Sequence, residues 1–66
     1  MCEATVYLEQ DGQREKVMDD VVWIGSTEAG IVMSKLFESP QTIHATIREV
    51  DFLKHSVVLA KVAEER

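Results

Sequence analysis

The residue best suited to holding a soft or borderline metal ion occurs once in this 66-residue chain, at Cys2. Removal of an initiator methionine ahead of so small a residue leaves Cys2 with its α-amine and thiol on adjacent carbons. Those two groups close a five-membered N,S chelate on one ion. The amine titrates near about 8 and the thiol near about 8.5, so both can surrender a proton to a metal at neutral pH. One chelate supplies two donors, and two Cys2 ends joined in a symmetric dimer supply four. Zinc would take such a set tetrahedrally, while Ni(II) or Cu(II) would favour a square plane. A two-fold axis through the ion would make metal and dimer stabilise each other. On residue chemistry alone, however, a lone cysteine without paired Cys or His spacing reads more simply as incidental.

Other candidates are sparser. His44 and His55 could each complete a metal site, or each could be an ordinary polar surface residue. Asp19 and Asp20 could meet a hard cation, although adjacent carboxylates in a turn are commonly just solvated. Met18, Met33, Trp23 and Phe37 sit among apolar neighbours and read as core filling. A terminal cysteine can also serve as a nucleophile. No Gly-rich oxyanion loop accompanies it here, and so short a chain has little room for a substrate pocket. The expectation is a protein that is not an enzyme.

The frame that must carry these residues is small. One domain spanning residues 1–66 is expected, and at this size only about 60% of the unfolded surface is buried. Folds this small generally need a disulfide, a metal or a partner subunit. A single cysteine excludes the internal disulfide. No apolar run approaches the roughly 20 residues that span a bilayer. Glu3, Glu9 and Asp11 interrupt any signal-like stretch, which points to the cytoplasm and a reduced thiol. Twelve acidic against seven basic residues give a net charge of −5, which argues against RNA as a partner.

Strand patterns dominate. Ala4, Val6 and Leu8 alternate with Thr5, Tyr7 and Glu9, and the Asp11-Gly12 pair predicts a hairpin turn. A short apolar piece at Val17-Met18, an acidic turn at Asp19-Asp20 and a β-branched run from Val21 to Ile24 follow. Gly25 and Gly30 bracket a further loop. Ile31 to Phe37 reads as a strand that ends at the turn-prone segment around Pro40. Between Thr42 and Val50 helical and strand spacings compete, and the β-branched content favours strands. Residues 51–56 then turn the chain into a final strand from Val57 to Leu59. Short strands separated by turns suggest a small all-β barrel.

Taken together, the opening MCEATVYL, the following DGQREKVMDDV, the LFE at 36–38 and the long IHATIREVDFLKHSVVL resemble the CooT family of small nickel-binding proteins. The resemblance runs from Cys2 to about Leu59. It implies an SH3-like β-barrel of six or seven short strands, a homodimer, and Ni(II) bound by Cys2 with its backbone nitrogen from both subunits. It further implies a nickel enzyme, carbon monoxide dehydrogenase, or its maturation machinery as partner. Zn(II) could stand in place of nickel, and His44 and His55 could form a second site. The rival reading is an SH3- or Sm-like module that binds RNA or protein with no metal role.

Overall fold

The computed structural model describes residues 3–62, which form six strands: β1 (Ala4–Gln10), β2 (Gln13–Thr27), β3 (Gly30–Lys35), β4 (Gln41–Ile43), β5 (Ala45–Asp51) and β6 (Ser56–Lys61). They lie in one curled sheet in the order β4-β3-β2-β1-β6-β5. All neighbours pair antiparallel except β1 with β6, which run parallel. The all-β barrel-like architecture expected from the sequence is therefore present. The segment where helix and strand competed holds no helix and is strand on both sides of a bend at His44, as β4 and β5. No helix among the described residues is long and apolar enough to cross a membrane.

The β1–β2 hairpin turns where the sequence places it. Asp11 and Gly12 have φ of 56° and 78°, the pair of positive angles that a two-residue type I′ turn needs. β2 then departs from expectation, running 15 residues without a break where a short piece, an acidic turn and a second piece were predicted. Asp19 and Asp20 are not a turn but a bulge inside this strand. Val6 pairs with Met18 and Ala4 with Val21, so β2 carries an extra residue across that interval. Asp20 absorbs it in the left-handed region, with φ of 56°. Bulges bend a strand and increase its twist. Here the bend lets the first half of β2 pair with β1 and the second half with β3, with Val21 joined to both.

An ion-pair clamp holds the bulge. The Lys35 ammonium donates to Asp19 at 3.3 Å from β3, and Lys16 reaches the same carboxylate at 3.5 Å. The hydrogen bond from Lys35 and the charge of Lys16 hold the Asp19 carboxyl below its ordinary titration range. A carboxyl lowered by folding adds stability above its unfolded midpoint, and that contribution disappears as pH falls through the folded one.

The two sheet edges, β4 and β5, are consecutive in the chain. Only His44 separates them, so the two edges of the curled sheet meet in sequence at that bend. The Val62 amide donates to the His44 carbonyl at 3.3 Å, tying β6 to the corner. Gly30 lies against the same corner at φ of 128°, where a Cβ would strike the Ile43 carbonyl oxygen. Inside sit Val6, Met18, Val21, Ile31, Met33, Ala45, Val57 and Leu59, flanked by Ala4, Leu8, Ile24 and Ile43. Fully burying a side chain of this class stabilises a fold by about 1.5–3 kcal/mol. Met18 and Met33 are core, as the sequence suggests.

Trp23 and Phe37 are not. Trp23 follows a separate register shift against β3, between Val21 and Trp23, which turns its ring outward over Gly25 and leaves it 53% exposed. β3 stops at Lys35, two residues short of expectation. Phe37 therefore stands on the turn, 97% exposed with φ of 65°, instead of continuing the inward series of Ile31 and Met33.

Two outcomes test this account. Gly30→Ala should lose about 2–4 kcal/mol in urea unfolding, combining backbone strain with a clash. Gly12→Ala, whose added methyl meets open space, should lose about 1 kcal/mol; equal losses would refute the role given to Gly30. In an NMR pH titration, Lys35→Met should move the Asp19 midpoint upward by more than Lys16→Met does. A larger shift on removing Lys16 would contradict the order of causes.

Candidate metal centre

Cys2 lies outside the described residues, and what can be stated is the setting of the strand that follows it. The start of β1 is fixed on both sides. Ala4 pairs with Val21 of β2, and the Thr5 amide donates to the His55 carbonyl at 2.9 Å. Beside it opens a groove of about 200 Å³, lined by Glu3, Ala4, Val50, Phe52, His55 and Val57 among others. The β1 start is thus an anchored and partly apolar platform.

His55 sits in the β5–β6 turn, as its sequence context suggests, with φ of 54°. The Asp51 carboxylate shapes that turn by accepting from the Lys54 amide at 3.0 Å. The turn brings His55 to the groove that Glu3 also lines. His44 is exposed at the β4–β5 corner, beside the far end of β6 where Ala45 pairs with Lys61. Five residue steps of β6 separate Ser56 from Lys61, about 17 Å at strand rise, so the two histidines do not converge within one chain. Among the described residues no three His, Cys, Asp or Glu side chains gather as a metal site. Asp19, one of the two carboxylates considered for a hard cation, is engaged by two lysines.

The chemistry that these positions can support is therefore concentrated near the start of β1. There the platform contributes an imidazole, a carboxylate and an apolar rim. The rim was missed in the sequence because Phe52, with exposed Leu53 beside it in the chain, falls in a predicted turn. They are 84% and 94% exposed, and two large apolar side chains in a polar turn were the available signal.

The sequence profile described as CO dehydrogenase accessory protein CooT matches residues 1–60. The fold superposes on the crystal structure of a CooT candidate from Carboxydothermus hydrogenoformans with a TM-score of 0.84 at 22% identity, covering 94% of this chain and 100% of that one. Among curated proteins no sequence matches this one. With a match across almost its whole length, the chain belongs to the CooT family of CO dehydrogenase accessory proteins.

Proposed function

We propose that the protein captures Ni(II) as cargo at Cys2, in a homodimer that shares one ion between two chains, for delivery to carbon monoxide dehydrogenase or its maturation machinery. The observation that carries this reading is the span of the family match, which begins at residue 1 and takes in the only cysteine. The family's role is accessory, not catalytic, in agreement with the expectation that the chain is not an enzyme.

The donor chemistry supports the reading. Each Cys2 offers a thiolate and its backbone nitrogen, and two such pairs satisfy a four-coordinate ion with strong-field donors. Ligands of this kind can also be exchanged one at a time, which suits handover. Protonation competes with the metal at both donors.

A Ni(II) titration of reduced, tag-free protein, with intact mass measured on the same sample, tests the proposal. Saturation near one nickel per two chains is expected, with thiolate charge-transfer bands that vanish in Cys2→Ser. Full binding by Cys2→Ser would refute it. The apparent affinity should fall at least about tenfold from pH 7 to pH 6, below both donor midpoints; an affinity unchanged between pH 8 and pH 6 would exclude this donor set.

A further inference from the structure

The groove at the start of β1 is lined by apolar and acidic side chains and by no lysine or arginine. Ala4 and Val57 belong to the core or pack against it, whereas Val50 and Phe52 are 44% and 84% exposed. At about 200 Å³ the space is smaller than the roughly 300–1,000 Å³ of small-molecule pockets, and it suits one large side chain. Its walls are held in place. Val50 and Asp51 pair with Val57 and Ser56, the Thr5 amide donates to the His55 carbonyl, and the Lys54 amide donates to Asp51. A groove already formed needs little ordering when it is filled.

Charge selects what can fill it. Glu3 makes no ion pair among the described residues, and Asp51 accepts from a backbone amide but bonds no charged group. Lys54, the nearest lysine in the chain, lines a separate groove with Tyr7 and Arg14. The only basic side chain along this one is the His55 imidazole. The net charge of −5 adds a longer-range attraction for a cationic partner. A second copy, carrying the same charge, is the poorer fit.

We infer that this groove docks a basic segment of another protein, one large apolar side chain entering beside Val50 and Phe52 while flanking lysine or arginine residues meet Glu3 and Asp51. An apolar anchor in a preformed groove supplies affinity, and the charges around it supply selection. Glu3 directly follows the proposed nickel ligand in the chain, so a recipient seated here engages the residue next to the cargo. Assigning the segment to the recipient rests on the delivery reading; the preference of the groove does not.

The test is NMR titration of the full-length protein at low salt with a short capped peptide that holds one leucine between pairs of lysines. Two control peptides replace the leucine by serine or the lysines by glutamates. The leucine–lysine peptide should shift Val50 and Phe52 resonances with a dissociation constant of about a millimolar or tighter. Phe52→Ser should weaken it about fivefold or more while circular dichroism stays native, and Glu3→Gln about threefold. Cys2→Ser, which removes the proposed nickel ligand, should leave peptide binding unchanged. Peptide binding by a protein that takes up no nickel supports the groove and overturns the delivery reading alone; nickel uptake with no peptide binding up to about 10 mM overturns the groove. A glutamate peptide that binds as tightly overturns the selection by charge, and a serine peptide that does so overturns the apolar anchor. Resonances of Val50 and its neighbours that move with protein concentration in the absence of peptide, and cease to do so in Phe52→Ser, assign the groove to a second copy and overturn the proposal.

Discussion

A six-stranded sheet can curl into a barrel in so short a chain only if one strand serves two directions, and that burden falls on β2. Its first half must follow β1 and its second half β3, so the strand has to bend without losing either set of backbone hydrogen bonds. The extra residue at Asp19-Asp20 supplies the bend, and the left-handed conformation at Asp20 accommodates it. Aspartate tolerates that region better than a β-branched residue would. The two lysines on Asp19 then join the bulge to the end of β3. Because Val21 faces both neighbours, the start of β1 and the end of β3 are fixed relative to each other by this one corner.

Closure at the opposite side depends on a second local device. β4 and β5 become the two edges of one sheet although a single residue separates them, and Gly30 allows β3 to approach their junction. The enclosed core is built mainly from Val, Ile, Leu and Met of moderate volume, with Ala45 the one small member of the buried cluster. In a fold this small the barrel leaves large apolar groups outside, at Phe37, Phe52 and Leu53.

Much of this was legible before any coordinates. The alternation of β1, the Asp11-Gly12 turn, the methionines of the core and the final strand follow from local pattern and turn chemistry. The bulge did not, because adjacent aspartates signal a turn and only pairing with two partners converts them into a bend. Trp23 and Phe37 were misplaced for related reasons: a register shift reverses the face of one, and an early strand end exposes the other. The candidate site divides similarly. Cys2 stands out by residue chemistry, but the placement of His55 beside the start of β1 follows from the parallel pairing of β1 with β6, which no local pattern encodes. The meeting of Arg14 and Arg48 on Glu9 was hidden because they come from β2 and β5.

That parallel pairing has a consequence for the order of assembly. β1 is made early, yet one of its two flanking strands is β6, almost fifty residues later. Contacts between distant segments carry a loop-closure cost and form slowly. The β1–β2 hairpin can form at once, but the Thr5 amide waits for His55 until the rest of the chain is present. The start of β1 is therefore completed last, so a growing or partly unfolded chain lacks the platform there. Maturation of the platform becomes a check on the integrity of the whole fold.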